Sequence, residues 1–439
     1  MKRLILIFIF THSIAIFAQN SFTLVEFLNE VLAKDFGIRI AKNQALQADN
    51  NNNIGAAGYL PTVGVNVNQN WTINTARQTF LSGQVNEASN AQNRSINMGV
   101  MMNWTFFDGF HMFIEDKRLD LMSESAKIQV SAEMEMKLYQ AAISFYTLLV
   151  LHEVRAMFEE SIALSLARLE QMENRRNLGV ASDMEWLQAK LDLNADSAAL
   201  LQNKRAIELL QTEMKAMIVL PSDADFSIQG KLPLQIESVN WETLKQKGLA
   251  QNSAILQAKT LLAIREKEQK QVLSRYYPQL ALYAGYDFGQ ANNEVGFLLS
   301  NRAFGPQFGL TLRWDVLSGL SRMTDNKNMR IEVNNAKMIQ EQQEILVTSE
   351  LRQAYLDLNW SIENLRFEAQ NIANLEQSTA IMTKALTLGS VTPLQLREFQ
   401  FSVIQAKTRY IEAKLNYITA RLNLALGTSD FSDLLSDQF

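Results

Sequence analysis

Hydrophobic and polar positions alternate in four short stretches. After Pro61 the odd positions are Val63, Val65, Val67, Gln69, Trp71 and Ile73, and the even ones are Thr62, Gly64, Asn66, Asn68, Asn70 and Thr72. Ile96, Met98, Val100, Met102, Trp104 and Phe106 alternate in the same way with Ser95, Asn97, Gly99, Met101, Asn103 and Thr105. Leu280, Leu282, Ala284, Tyr286 and Phe288 form a third set, and Phe308, Leu310, Leu312, Trp314 and Val316 a fourth. A period of two predicts strands, over residues 62–73, 95–107, 279–289 and 307–317. Each is roughly 9–12 residues long, which is what a tilted strand needs to cross a bilayer. The second face is rich in Asn, Gln, Gly and Thr, as a wet lumen requires. Trp71, Trp104, Tyr276, Tyr277 and Trp314 stand near the strand ends, where interfacial aromatics belong. A soluble hairpin with one buried face is the competing reading of any single pair.

Between these stretches the period changes. Residues 111–178 contain no Pro or Gly, which permits ~100 Å of helix at ~1.5 Å per residue. Leu151, Val154, Phe158, Ile162, Leu166, Leu169 and Met172 mark an apolar stripe there. Leu351, Tyr355, Leu358, Ile362, Leu365, Ala369, Ile372, Leu375, Thr379, Met382 and Leu386 mark another. Their near-heptad spacing predicts coiled-coil packing. Gly179 and Gly389 suit the left-handed position that stops a helix. Ser182 with Glu185, and Thr392 with Gln395, then read as capping boxes that start returning helices, with Pro393 at the first helical position.

The pattern occurs twice. Residues 38–42 leading to Pro61 match residues 255–259 leading to Pro278 at an offset of 217, and Leu178-Gly179 matches Leu388-Gly389 at 210. The domain organisation that follows is a first repeat over residues 19–220 with its tip turn at 178–183, and a linker over 221–250. A second repeat covers 251–427 with its tip turn at 388–393, and a C-terminal tail covers 428–439. The fold class is mainly α with membrane β. Four strands cannot close a barrel when the smallest membrane barrels have about eight. An open edge in lipid would leave backbone groups unpaired, so several chains must pool their strands.

Composition sharpens this. Pro is only 6 and Gly only 18 of 439 residues, as unbroken helices demand. Residues 1–18 read as a signal peptide, with Lys2 and Arg3 before an apolar run that Thr11, His12 and Ser13 make too broken for a membrane anchor. Its removal leaves 39 basic against 46 acidic side chains, a net charge of −7, which argues against a nucleic-acid partner. No stretch approaches ~18 uncharged apolar residues, so no transmembrane helix is expected. There is no cysteine, and His111 and His152 are the only histidines outside the signal peptide. No metal site, cofactor or catalytic centre is expected, and no nucleotide-binding or hydrolase motif is present. Asp49, beside Asn50 to Asn53, reads as part of a solvated helix face.

Taken together, Phe106-Phe107-Asp108-Gly109 after the second strand, the tips Leu178-Gly179-Val180-Ala181-Ser182 and Leu388-Gly389-Ser390-Val391-Thr392, and Leu426-Gly427 near the end resemble the TolC-family outer-membrane efflux proteins. The resemblance implies a homotrimer in the bacterial outer membrane, extending into the periplasm. Its 12-stranded β-barrel would be continued by a coiled-coil α-helical barrel. It implies a passive channel-tunnel that exports substrates within a tripartite efflux or type I secretion system, and no enzymatic activity. The partners implied are a periplasmic adaptor docking on Leu178, Gly179, Val180, Ala181, Ser182, Leu388, Gly389, Ser390, Val391 and Thr392, and an inner-membrane transporter. The linker and the tail would join the family's equatorial belt. Periplasmic entrance candidates are Glu398, Glu185 and Gln395, although the last two already have capping work. The Tyr and Arg of the family's known entrance lock are replaced by Leu386 and Val391. The alternative function is a soluble periplasmic coiled-coil structural or adaptor protein.

Overall fold

The computed structural model describes residues 21–233, 236, 239–296 and 298–435. The signal-peptide reading of residues 1–18 lies outside them. In chain order the elements are β1 (Ser21–Phe22), α1 (Leu24–Lys34), α2 (Phe36–Asn51), β2 (Thr62–Thr79), β3 (Val85–Phe107), α3 (His111–Asn177), α4 (Asp183–Met217) and β4 (Ser227–Ile228). There follow α5 (Trp241–Gln251), α6 (Ser253–Ser274), β5 (Gln279–Asn293), β6 (Ser300–Arg313), α7 (Ser321–Thr387), α8 (Pro393–Thr428) and α9 (Ser432–Leu435). The duplication is visible in the starts of the elements. α1 and α5 begin 217 positions apart, as do β2 and β5, while α3 and α7, and α4 and α8, begin 210 apart. α3 and α7 are both 67 residues long.

The chain forms two compact units that cut across the repeats. One takes the described residues up to Ile40, Ser131–Asn252 and the chain from Ile345 onward; the other takes Ala41–Val130 and Ser253–Glu344.

The first unit holds the helical core. Thr23 caps α1 and Glu26 returns the bond, a capping box that fixes where the helix begins. That helix buries Leu24, Phe27, Leu28 and Val31. Phe27 meets Phe145 of α3 at 6.2 Å and Phe226 at 6.1 Å between ring centroids. β1 pairs in parallel with β4 beside them. In the second repeat α5 takes the place of α1. Asn240 caps it, and Trp241 packs on Tyr355 of α7 at 5.8 Å. A Cβ at Gly248 or Gly427 would strike the Leu351 side chain, so both glycines let that leucine in. α5 begins inside the segment read as a linker, because its short apolar pattern was too brief to register as a helix.

Among the described residues one helix, α3, is long and apolar enough to cross a membrane by length and composition alone. That corrects the expectation that no such stretch exists. Phe145, Tyr146, Leu148 and Leu149 are buried in the helical core, which accounts for the apolarity.

The second unit holds the sheet, in the order β2-β3-β5-β6 and antiparallel throughout. The strands differ in extent from the sequence reading. β2 runs on to Thr79 and β3 begins at Val85, β5 runs on to Asn293, and β6 covers Ser300–Arg313. Residues 74–95 are mostly polar and no longer alternate, so the ladder continues where the hydrophobic period has stopped. A bulge between Asn74 and Ala76 also breaks the phase. β6 ends before Trp314 because the chain is drawn off the sheet there. The Arg322 guanidinium donates to the Asp315 carbonyl and, at 2.9 Å, to the Arg275 carbonyl. Asp49 is no free surface group. It accepts from Ser123 and pairs with Lys127 of α3 at 2.9 Å, fastening α2 to α3.

Candidate functional site

Three features of the chain carry functional chemistry: the outward face of the sheet, the two helical tips and an ion-pair network on the helices behind the tips.

The sheet register aligns the apolar positions in rows. Val63 lies opposite Met102, which lies opposite Ala284, which lies opposite Phe308. The next rows are Val65–Val100–Tyr286–Pro306 and Val67–Met98–Phe288–Phe304. Trp104, Leu282 and Leu310 form the row on the helix side. These side chains do not form a core. Val65 is 74% exposed and Phe308 80%. A contiguous exposed apolar face this large marks a membrane or partner surface. Pro306 sits in the outermost strand, where a missing N–H is tolerated. The opposite face carries Asn66, Gly99, Asp287 and Gly305 in one row, and Gly64, Met101, Gly285 and Gln307 in the next. The helix-side border repeats in both halves: the Trp104 indole donates to the Tyr59 carbonyl at 2.9 Å, and the Trp314 indole to the Tyr276 carbonyl at 3.1 Å.

The tips are built alike. Gly179 has φ +72° and so does Gly389, a left-handed conformation that glycine adopts without strain. The Gly179 N–H donates to the Arg176 carbonyl and the Val180 N–H to the Arg175 carbonyl, both at 2.9 Å. Gly389 and Ser390 do the same toward Leu386 and Ala385, at 3.0 and 2.9 Å. This is the Schellman pattern of helix termination. Three residues beyond each glycine the next helix is capped. The Ser182 N–H donates to Glu185 at 2.8 Å, and the Thr392 N–H to Gln395 at 2.8 Å. The return bonds run from the Glu185 and Gln395 N–H groups to the hydroxyls, at 3.3 and 3.2 Å. The bond from the Ser182 backbone holds the Glu185 carboxyl below its ordinary range. What the tips present is apolar: Leu178 is 78% exposed and Leu388 81%. Val180 is also exposed, while Ala181 and Val391 are half-buried and Ser182, Ser390 and Thr392 are exposed.

Glu398 is exposed, and its side chain has no ion-pair partner among the described residues. The residue before it is tied down. Arg397 of α8 pairs with Asp196 at 3.1 Å and Asp192 at 3.6 Å, both on α4. Arg168 of α3 holds Asp192 from the other side at 2.9 Å. The Ser161 and Ser165 hydroxyls donate to Asp196, at 3.0 and 2.5 Å. All four charged side chains are less than one-fifth exposed. Sequence reasoning missed this network. It placed the α3 seam on Leu151, Val154, Phe158, Ile162, Leu166, Leu169 and Met172; Met172 is buried, but Leu166 is exposed, and the fully buried positions nearby also include Ser161 and Ser165. The missed signal was a pair of polar repeats at four-residue spacing, Ser161/Ser165 and Asp192/Asp196, on facing helices.

A chain with a lipid-sized apolar face on a four-stranded sheet, joined in sequence to two 67-residue helices, has the architecture of an outer-membrane channel. Solved structures agree on that fold. The Campylobacter jejuni CmeC outer membrane channel superposes with a TM-score of 0.76 at 12% identity, covering 94% of this chain and 89% of that one. The outer membrane protein VceC from Vibrio cholerae gives 0.72 at 13%, covering 93% and 96%. The open state of the Neisseria gonorrhoeae MtrE outer membrane channel gives 0.61 at 15%, covering 93% and 89%. No curated protein matches in sequence. The family model for outer membrane efflux protein matches residues 244–428.

Residues 244–428 are thus an outer membrane efflux protein domain, and the resemblance to TolC-family efflux proteins read from the sequence is borne out. Over the chain as a whole, what the solved structures share with it is the fold of outer-membrane channels. The exposed apolar face weighs against the soluble periplasmic alternative.

Proposed function

We propose that three copies of this chain pool their strands into one 12-stranded barrel and act as a passive conduit in a tripartite efflux or type I secretion system. The observation that carries this reading is the sheet: one face apolar and exposed, the other polar and glycine-rich, and both edges open in a single chain. Open edges in lipid leave N–H and C=O groups unpaired, so closure by β6 of one copy against β2 of the next removes the cost. On this reading the tips at 178–182 and 388–392 dock a periplasmic adaptor through exposed Leu178, Val180 and Leu388, which links the channel to an inner-membrane transporter. Glu398, with its free carboxylate, is the entrance residue. Glu185 and Gln395 serve the caps first. The repeat and linker boundaries at 19–220, 221–250, 251–427 and 428–439 complete the proposal. No step of chemistry is assigned to the chain.

The deciding experiment is extraction in detergent followed by mass determination and planar-bilayer recording. A trimer that conducts ions is expected. A monomer recovered from the periplasm without detergent would overturn the reading. For the adaptor, photocrosslinking from position 178 or 388 should capture a periplasmic protein with a coiled-coil hairpin, and capture at neither tip removes that assignment.

A further inference from the structure

The apolar face of the sheet does not end symmetrically. On the helix side it closes with Trp104 and with rows of leucine, and the basic residues nearby are engaged: Arg313 pairs with Asp315 at 3.6 Å, and Arg322 holds two carbonyls. On the hairpin side the same face passes within one row from Phe288 and Phe304 to Gln290 and Arg302, and one row further to Arg94, Asn292 and Ser300. Neither Arg94 nor Arg302 has a carboxylate partner among the described residues. Arg94 donates to the Gln92 side chain at 3.1 Å and lies 5.7 Å from the Trp71 ring. Arg302 lies 5.1 Å from the Phe288 ring. Glu87 pairs with Arg77 at 2.8 Å, and the Glu294 carboxylate accepts from the Gln92 backbone at 2.7 Å. Two strand spacings and one pair of residues separate the guanidiniums' backbones, roughly 10 Å across and 7 Å along the sheet.

We infer that Arg94 and Arg302 form a docking surface for the phosphate of an outer-leaflet glycolipid headgroup. This rests on the barrel reading, because it needs the apolar face turned to lipid. The argument is one of position and charge. The rows from Leu280 to Gln290 span ten residue steps, about 34 Å along a strand, which at a tilt of about 40° gives roughly the 25 Å of an apolar band. The guanidiniums therefore stand where the hydrocarbon stops and headgroups begin. The hairpin end is the outer end, since the other ends of the strands lead into helices. Guanidinium recognises phosphate through paired donors. The aromatic rings beneath hold each fork at the border without neutralising it. The amides of Gln69, Gln290 and Asn292 on the same rows supply donors and acceptors suited to a sugar headgroup.

The test uses the full chain reconstituted in phosphatidylethanolamine vesicles. The vesicles contain diphosphorylated lipid A, or enzymatically dephosphorylated lipid A, or neither. The amount of lipid retained after re-extraction is read by native mass spectrometry. Wild type should retain the phosphorylated lipid, and millimolar inorganic phosphate should not displace it. Arg94→Gln and Arg302→Gln should each lower retention roughly fivefold, and the pair roughly twentyfold. Arg94→Lys with Arg302→Lys should fall between wild type and the paired Gln variant, because the charge stays and the paired donors go. Equal retention by wild type and the paired Gln variant, or equal retention of the dephosphorylated lipid, overturns the inference while leaving the channel intact. Failure of the wild-type chain to insert overturns the barrel reading and this inference with it.

Discussion

Asp430 follows the last long helix and accepts from Lys247 of α5, from the Ser432 hydroxyl at 2.6 Å and from the Ser432 N–H at 3.1 Å. The Lys247 bond is the main cause of a carboxyl pKa held at about 2. A depressed carboxyl stabilises the fold above its unfolded pKa of about 3.8 and loses that contribution as pH falls through the folded value. After allowance for solvent screening we expect about 1–2 kcal/mol from this group at neutral pH, lost between about pH 4 and pH 2. Asp430→Asn should lower stability at pH 7 and flatten the acid limb between those values in denaturant titrations. At the tips, Ser182→Ala and Thr392→Ala should each cost about 1 kcal/mol of local helix stability, seen as faster amide exchange in the first turn of α4 or α8. Gly389→Val places a β-branched residue at φ +72°, which should fray the turn and weaken adaptor capture. Unchanged exchange and capture would remove the glycine from the docking assignment.

At the scale of elements the polar seam is the informative one. Arg397 keeps Asp192 and Asp196 apart from mutual repulsion and ties α8 to α4. Arg397→Gln leaves Asp192 with Arg168 alone and Asp196 with only its two serine donors, a loss of about 1.5–3 kcal/mol. Arg397→Gln with Asp196→Asn should recover part of it, and a double-mutant cycle on thermal unfolding measures the coupling. If the single variant unfolds like wild type, the network is surface decoration. What was legible in the sequence divides along the same line. Strands were legible where one face meets lipid, at Val63 to Ile73 and Leu280 to Phe288. Their outer ends were hidden because residues 74–95 are mostly polar and show no period. Tip geometry was legible because left-handed glycines and capping boxes are local rules. The seam on α7 was legible at Leu351, Leu358 and Leu365, all buried. On α3 only Met172 of the expected stripe is buried, and the rest was hidden because hydropathy cannot recognise a buried interface made of Ser, Asp and Arg.

For the whole molecule, the expectation is an obligate oligomer. Exposed Trp360, Phe367 and Ile345 on α7 join the sheet edges as surface that a single chain leaves open. Ile345 or Phe367 changed to Glu should lower the trimer fraction in detergent by tenfold or more, at roughly 1.4 kcal/mol per factor of ten, measured by mass photometry. Unchanged trimers would place those side chains outside the interface. The role in transport was legible from the order of motifs. The exported substrate was not, because a lumen of Asn, Gln, Gly and Thr carries little chemical selectivity.

The sheet also dictates an order of events. Each hairpin is local, but the seam between β3 and β5 joins Asn93 to Asn293 and Met102 to Ala284. Pairings so distant in sequence are slow to form, and two lone hairpins are marginal in water. During export the first hairpin must therefore wait, unpaired on one side, while α3, α4, α5 and α6 emerge. A chain halted before Gln279 should show helix but no protease-resistant sheet. Restarting export should make resistance appear in one step. The late seam makes the waiting hairpin, rather than the finished sheet, the state of this chain most open to edge-to-edge aggregation.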